Sequence, residues 1–245
     1  MSKLLPGLYP VATPIGNLQD LTFRALAVLK AADVIACEDT RHSVRLLKHY
    51  EVPHKPLLSL NEHNEARRIP EIIARIQEGA SVALVSDAGT PTVSDPGQRL
   101  VHAVAAVGLR IEGIPGPSAV TTALSACGLP TTPFYFGGFL PHKKGQRTTA
   151  LSTAIARDCT TIFFESPYRL LDTLQIIAEL APDHQLVVAR ELTKVHETYH
   201  RGTAKELSSH FAKTSPKGEI CLLIAPSEAP KWMSYQANEK EEGDL

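Results

Sequence analysis

Cysteine is scarce in this sequence. Its 245 residues include four cysteines, and no two of them form a C-x-x-C pair. Zinc knuckles and the disulfide frameworks of small secreted domains need closely spaced thiols, so neither is expected here. Cys37, Cys159 and Cys221 lie in or beside apolar segments typical of strands. We therefore expect buried, reduced thiols.

Long apolar runs are also missing. No stretch reaches the roughly 18 uninterrupted apolar residues that a membrane-spanning helix needs, and the first residues lack the apolar region of a secretory signal. The sequence therefore predicts a cytoplasmic protein without a membrane partner. The phosphate loop G-x-x-x-x-G-K-[ST], the dinucleotide fingerprint G-x-G-x-x-G and the hydrolase elbow G-x-S-x-G do not occur. Their absence excludes the common forms of these three sites.

The histidines do not form a metal motif. His42, His49, His54 and His63 are close in sequence, but no pair shows helical i, i+4 spacing with a carboxylate between. The arginines and lysines around them disfavour a bound cation. No metal site is predicted.

Charge is balanced in total but uneven along the chain. The formal net charge is −1, yet no acidic residue occurs between Gly113 and Arg157, a segment that contains Lys143, Lys144 and Arg147. A basic strip of this kind can bind phosphates locally even when the total charge is near zero. The end of the chain, residues 229–245, is polar and acidic, and we expect a tail there.

Strands and helices alternate along the first half of the chain. Alternation of strands and helices at this spacing is typical of a parallel sheet with helices on both faces. The predicted strands are Leu8–Ala12, Asp33–Cys37, Leu57–Leu60, Val82–Val85 and Arg110–Ile114.

The pattern changes after a predicted helix at Ser118–Cys127. An aromatic strand, Phe134–Phe139, and a basic loop, Leu140–Arg147, lead into further strands and helices. We therefore predict two α/β domains, at residues 1–116 and 117–228, followed by the tail.

The segment Val82–Gly97 is the strongest local signal. An apolar strand runs into the turn-forming sequence S-D-A-G-T-P, and a helix is expected to begin at Ser94–Pro96 with Ser94 or Asp95 as its N-cap. Two other stiff loops follow strands, at Thr13–Asn17 and Pro115–Ser118. Ligands of parallel α/β sheets bind beyond the carboxyl ends of the strands. One such loop is only a tight turn, but three together predict a small-molecule site that includes Asp87.

Six segments resemble the ribosomal RNA small subunit methyltransferase I family, which belongs to the tetrapyrrole methylase superfamily. The resemblance extends from about Leu8 to Ala225. The segments are Leu8–Asn17, Cys37–Arg41, Val85–Gly97, Pro115–Ala119, Phe164–Arg169 and Ala189–Lys194.

The resemblance implies a two-domain tetrapyrrole methylase-like α/β fold, in which each domain is a mainly parallel or mixed sheet flanked by helices. It implies a homodimer that binds S-adenosylmethionine in an interdomain cleft. The implied reaction methylates the ribose 2′-oxygen of a cytidine in small-subunit ribosomal RNA, either as free RNA or in the assembled small subunit.

The resemblance also implies cofactor-binding residues, which are Ile15, Asp87, Ser118, Ala119, Phe164, Leu192 and Ala225. The first loop departs from the glycine-rich, acidic loop common in the superfamily, since it reads A-T-P-I-G-N. That departure speaks against a tetrapyrrole substrate.

A ribose hydroxyl is a weak nucleophile near neutral pH, so a nearby base or cation should help it to lose its proton. The catalytic candidates are Asp39, Arg41, Glu191 and Lys194, and the alternative for each is a structural ion pair. RNA contacts are predicted on basic residues, which otherwise form a solvated face. They are Arg41, Arg45, Lys48, Arg67, Arg68, Lys143, Lys144 and Arg147.

Two alternatives stay open at this point. One is another superfamily activity, the methylation of a tetrapyrrole or of a protein. The other is a non-catalytic protein that binds RNA or a nucleotide on the same fold.

Overall fold

The computed structural model describes residues 3–214 and 216–228. The chain divides into two compact units. The first contains the described residues up to Thr122 together with Leu192–Val195, and the second contains Ala123–Glu191 and the described residues from His196 onward. The predicted acidic tail at 229–245 lies outside the described residues.

The first unit is built on a parallel sheet with the strand order β1-β4-β2-β3. A short 3-10 helix, Leu18–Asp20, follows the first strand. The parallel sheet predicted from the alternation is confirmed. Its elements are β1 Gly7–Pro10, α1 Phe23–Ala31, β2 Val34–Cys37, α2 Thr40–His49, β3 Leu57–Ser59, α3 Glu65–Gln77, β4 Ser81–Val85 and α4 Gln98–Ala106.

The predicted strand Arg110–Ile114 is reduced to two parallel bridges. Leu8 pairs with Ile111, and Val11 pairs with Ile114. This segment nevertheless places the loop that follows it beside the end of β1.

Helices cover both faces of this sheet because neighbouring strand residues point to opposite sides. Ile35 packs with the buried side chains of α1 and α2. Val34 packs with Ile72 of α3 and Leu100 of α4. The carboxyl ends of the strands are therefore left for loops.

The predicted start of α4 at Ser94–Pro96 is wrong. The helix begins at Gln98 after Gly97, whose φ is 112°. A Cβ on Gly97 would lie 2.8 Å from Leu84 Cδ2. The Asp95 side chain bonds Ser86 rather than capping the helix, and the carboxylate of Glu65 accepts the amide of Leu100 at 3.3 Å instead.

The second unit carries a mixed sheet with the strand order β5-β6-β9-β7-β8. β5 and β6 are parallel, and the other pairs are antiparallel. Its elements, preceded by α5 Ala119–Cys127, are β5 Phe134–Phe139, α6 Lys144–Ile155, β6 Thr160–Glu165, α7 Pro167–Leu180, β7 Gln185–Arg190, β8 Thr198–Thr203, α8 Ala204–Lys213 and β9 Ile220–Ile224.

The basic loop predicted at Leu140–Arg147 is wrong in its second half, because α6 begins at Lys144. Threonine hydroxyls in this helix bond carbonyls one turn back, as Thr148 does to Lys144 at 3.0 Å, and such residues favour helices weakly. Burial of Leu151 and Ala154 in the core of the second unit stabilises the helix.

The expectation about thiols is confirmed, since all four cysteines are buried and free. Burial raises the pKa of Cys221 to about 12, which keeps this thiol protonated and unreactive. Among the described residues, no helix has both the length and the apolar character needed to cross a bilayer.

Candidate active site

Two of the predicted loops are joined directly at the carboxyl edge of the first unit. The amide of Thr13 donates to the carbonyl of Gly89 at 2.9 Å, and the amide of Gly89 donates to the carbonyl of Thr13 at 3.0 Å. Gly89 has a φ of 80°, which favours glycine. A Cβ there would lie 3.3 Å from Ile15 Cγ2. The sequence T-P-I-G and the sequence D-A-G-T therefore hold each other in place.

The third loop joins the same edge. The hydroxyl of Thr90 donates to the carbonyl of Pro117 at 3.1 Å. The amide of Ala12 donates to the carbonyl of Ile114 at 3.3 Å. A Cβ on Gly116 would lie 3.0 Å from Ala12 Cβ. The three loops that were predicted to meet are therefore in contact, and all three belong to the first unit.

Carboxylates gather beside these loops. Asp87 Oδ1 accepts the amide of Asp39 at 3.2 Å, while the amide of Asp87 donates to the carboxylate of Glu38. Burial, and then the charges of Asp87 and Asp95, raise the pKa of Glu38. Burial and the charge of Asp87 likewise raise the pKa of Asp95, against a hydrogen bond from Ser86. The clustered carboxylates create a negative potential, and a bound cationic group would reduce the repulsion between them.

Asp39 and Arg41 form an ion pair at the start of α2. Asp39 accepts the Arg41 amide at 2.8 Å and Arg41 Nη2 at 2.8 Å. These hydrogen bonds and the guanidinium charge lower the pKa of Asp39 to about 2. A carboxylate of such low basicity is a poor proton acceptor near neutral pH. The geometry favours the structural ion pair for this candidate.

The remaining catalytic candidates lie in different units. Glu191, in the second unit, accepts the amide of Glu219 at 2.9 Å. Lys194 lies in the first unit, where a Cβ on Gly16 would overlap its Cγ. Lys194 therefore contacts the first loop, and Leu192, two residues earlier, is buried in the same unit.

The other predicted cofactor residues are also divided between the two units. Ser118 and Ala119 are half-buried at the start of α5. Phe164 lies in β6 of the second unit, where its ring packs against Phe136 and Phe139 at centroid distances of 4.9 and 5.3 Å. Ala225 is buried just after β9, and its amide donates to the Gln185 carbonyl at 3.0 Å. The roles of all the predicted cofactor residues stay predictions.

The predicted RNA-binding residues differ in exposure. Arg41, Arg45 and Lys48 are exposed on α2, and their i, i+4, i+7 spacing places them on one side of the helix. Lys143 and Lys144 are exposed in the second unit. Arg147 is only 5% exposed, and its Nη1 donates to the His142 carbonyl at 3.4 Å. Arg147 therefore does not lie on a solvated face.

A cavity of about 480 Å³ at the same edge of the first unit was missed from the sequence. The available signal was the polar sequence N-E-H-N after β3, which reads as helix capping alone. The cavity is lined by Glu62, His63, Glu65, Asp95, Pro96, Gly97, Gln98 and Arg99.

The family model for Tetrapyrrole (Corrin/Porphyrin) Methylases matches residues 7–208. A solved structure of the methyltransferase CobJ aligns with a TM-score of 0.68 and 19% identity, over 90% of this chain and 94% of the other. At that identity the likeness concerns the fold alone. The fold and the joined loops thus define an α/β protein of the tetrapyrrole methylase class.

Sequence relatives narrow the class. A protein of Mesorhizobium japonicum named Ribosomal RNA small subunit methyltransferase I is 50% identical over 92% of this chain and 77% of its own length. A protein of Thermotoga maritima with the same name is 46% identical over 89% of this chain and 97% of its own length. The chain belongs to the ribosomal RNA small subunit methyltransferase I family.

Proposed function

We propose that this chain is an S-adenosylmethionine-dependent methyltransferase that modifies the ribose 2′-oxygen of a cytidine in small-subunit ribosomal RNA, in the cytoplasm. The observation that carries the proposal is the contact of three stiff loops beside Asp87, at the edge where parallel sheets bind ligands. The names of the relatives direct this site toward ribosomal RNA.

The residues at this edge fit the cofactor chemically. S-adenosylmethionine bears a sulfonium and an ammonium group, and the carboxylates of Asp87, Glu38 and Asp95 supply the negative potential that favours both. Gly89 and Gly116, which carry no side chain, let the loops beside these carboxylates pack closely on Ile15 and Ala12. The residues that would hold it in the first unit are Ile15, Asp87, Ser118, Ala119 and Leu192.

When bound, the cofactor supplies an activated methyl group. The task of the chain is then to align the ribose hydroxyl and to assist the loss of its proton. Lys194, which contacts the first loop at Gly16, is the cation best placed to stabilise the developing oxyanion. The Asp39–Arg41 pair holds the start of α2 beside Asp87.

RNA binding is assigned to the exposed basic side of α2, which carries Arg45 and Lys48 close to the proposed cofactor site. Lys143 and Lys144 offer a second exposed pair. Cations placed in this way bind the phosphate backbone without reading the sequence.

We also propose that the chain forms a homodimer. The side chains of Phe23, Tyr168 and Val195 are 94%, 95% and 96% exposed. These exposed side chains support the proposal, because a second copy that covered them would remove large apolar surface from water. Light scattering of the purified protein should give twice the chain mass, and a monomer across the concentration range would contradict the dimer.

The proposed function is tested with Asp87→Ala and a matched control, Asp183→Ala, at an exposed aspartate of the second unit. Calorimetric titration with S-adenosylmethionine should show affinity reduced by about tenfold or more for Asp87→Ala, roughly 1.4 kcal/mol. The control should bind as the wild type does. Unchanged affinity in Asp87→Ala would contradict the assigned site.

The reaction is tested by incubating the wild-type protein with labelled cofactor and small ribosomal subunits that lack the modification. We expect one methylated ribose, at a cytidine. Transfer to a base, a protein or nothing would contradict the proposed reaction.

A further inference from the structure

The cavity of about 480 Å³ lies beside the proposed active site and has no part in the function proposed above. One wall comes from residues 62–65, where β3 leads into α3, and the other from residues 95–99, where the Asp87 loop leads into α4. Asp95 lines the cavity and also bonds Ser86, the residue before Asp87. The cavity therefore adjoins the loop that carries Asp87. Its volume of about 480 Å³ is within the range of small-ligand pockets.

The polar groups in its walls fall into two classes. Glu65 is buried and its Oε1 accepts the Leu100 amide, so this carboxylate serves the fold. The side chains of Glu62 and Arg99 are exposed, and neither side chain makes a hydrogen bond or ion pair with the residues that the structure describes. A carboxylate acceptor and a guanidinium donor are thus available to a ligand.

The charge of the cavity selects the kind of group that can enter. Three of its lining side chains are carboxylic acids, Glu62, Glu65 and Asp95. They disfavour a phosphate and favour an uncharged ring that carries an amino group. The phosphates of an RNA chain have cations elsewhere in this unit, on the exposed side of α2.

We propose that this cavity binds the base of the target cytidine. Glu62 accepts a hydrogen bond from the exocyclic amine, Arg99 donates to the ring nitrogen and carbonyl oxygen, and the His63 imidazole stacks on the ring. The assignment rests on the proposed function, because it names the substrate group that the same enzyme holds.

The arrangement discriminates between pyrimidines. Cytosine presents a donor followed by two acceptors on its pairing edge, which matches one carboxylate beside one guanidinium. Uracil presents an acceptor where cytosine has its amine, and this oxygen would face the carboxylate of Glu62. A polar site left unpaired in this way rejects the wrong base. Glu62 is therefore the specificity-determining residue.

Titration of the wild-type protein with cytidine, uridine and adenosine 5′-monophosphates, followed by amide NMR, tests the assignment. The cytidine nucleotide should shift the amides of residues 62–65 and 97–99 and bind about fivefold or more tightly than the uridine nucleotide. Equal affinities, tighter binding of the adenosine nucleotide, absence of binding, or shifts confined to other residues would overturn it.

Two variants and a control complete the experiment. Glu62→Gln should abolish the preference for cytidine over uridine. Arg99→Gln should weaken binding of the cytidine nucleotide by about tenfold. Glu78→Gln, at the exposed far end of α3, should change neither. A preference that survives in Glu62→Gln would refute the role of this carboxylate.

Methyl transfer separates this proposal from the proposed function. A wild-type protein that binds no S-adenosylmethionine and transfers no methyl group refutes the function itself. If the wild type is active, Glu62→Gln should raise the KM for small subunits while leaving cofactor affinity unchanged. An unchanged KM together with unchanged nucleotide preference refutes the cavity assignment alone.

Discussion

Asp39 shows how a single residue can be explained by its local bonds. The sequence C-E-D-T-R presents it as a carboxylate at a strand end, where a general base would be expected. In the structure it accepts the Arg41 amide and guanidinium while its own amide donates to Asp87. Its carboxylate therefore stabilises the start of α2.

The ionisation of Asp39 gives a direct prediction. Its pKa is about 2 in the folded protein, against an ordinary value of 3.8. A lowered pKa means that the carboxylate stabilises the folded state above about pH 4, and that this stabilisation is lost as the pH falls toward 2. A carboxyl carbon NMR titration should show the low midpoint in the wild type and a higher one in Arg41→Ala. An ordinary midpoint in the wild type would contradict the ion pair.

Gly16 gives a second prediction at this scale. A Cβ at this position would overlap Cγ of Lys194 and lie 3.0 Å from Thr193 Oγ1. Gly16→Ala should therefore displace Lys194 and reduce methyl transfer by about tenfold or more, with little loss of stability. Steady-state kinetics with labelled cofactor would measure the effect.

The matched control is Gly113→Ala, because a Cβ on Gly113 meets no atom within 4 Å. It should transfer methyl groups at the wild-type rate. Equal activity of the Gly16 and Gly113 variants would show that the packing of Lys194 on the first loop is unimportant.

At the scale of elements, the start of α7 depends on one buried carboxylate. Glu165 ends β6 and accepts hydrogen bonds from the Ser166 amide at 2.7 Å, the Thr173 hydroxyl at 2.8 Å and Arg169 Nη2. Arg169 Nη2 also donates to the Leu140 carbonyl at 3.2 Å. This network joins a strand, a helix and the segment before α6 within the second unit.

Removing this carboxylate should be costly. Glu165→Ala leaves Arg169, whose side chain is 18% exposed, without its counter-charge, and breaking a buried pair typically costs about 3 kcal/mol or more. Chemical denaturation should show that loss, whereas Glu179→Ala, at an exposed glutamate of the same helix, should change stability by less than about 0.5 kcal/mol. Equal stabilities of the two variants would refute the structural role of Glu165.

The start of α4 makes a different point about elements. The sequence S-D-P satisfies the rules for a helix start, yet the helix begins after Gly97. The local capping preference is worth about 1 kcal/mol. Close packing of Gly97 on Leu84 and the bond of Asp95 to Ser86 outweigh it. Both partners, Leu84 and Ser86, precede the helix in the chain but lie outside the few residues that a capping rule considers.

At the scale of the whole molecule, the net charge of −1 conceals a basic surface. Arg45 and Lys48 are exposed on the same side of α2. The double variant Arg45→Gln/Lys48→Gln should bind RNA more weakly. The slope of log affinity against log salt should become shallower by about 1.4 to 1.8, because two phosphate contacts are lost.

The control for this prediction is Lys205→Gln/Lys213→Gln, which removes two exposed cations from α8. Fluorescence anisotropy with a labelled RNA at several salt concentrations would give both slopes. An unaltered slope for the α2 variant would place the RNA contacts on another surface.

The sequence by itself determined the alternation of strands and helices in the first unit and the three loops at its carboxyl edge. Both are local signals, because hydrophobic periodicity and turn residues act over a few neighbouring positions. The family resemblance came partly from these stretches and partly from Phe164–Arg169 and Ala189–Lys194. The buried thiols also followed from the apolar segments around them.

Only the tertiary structure decided the features made from distant segments. Leu192–Val195 joins the first unit, α6 is stabilised by core burial, and residues 62–65 and 95–99 form one cavity. These features depend on which distant segments pack against each other and bury their surfaces. Such contacts produce no local periodic pattern in the sequence. The bonds of Asp39 combine the two kinds of information. Its partner Arg41 is two residues away in the sequence, whereas Asp87, which accepts the Asp39 amide, comes from the end of another strand.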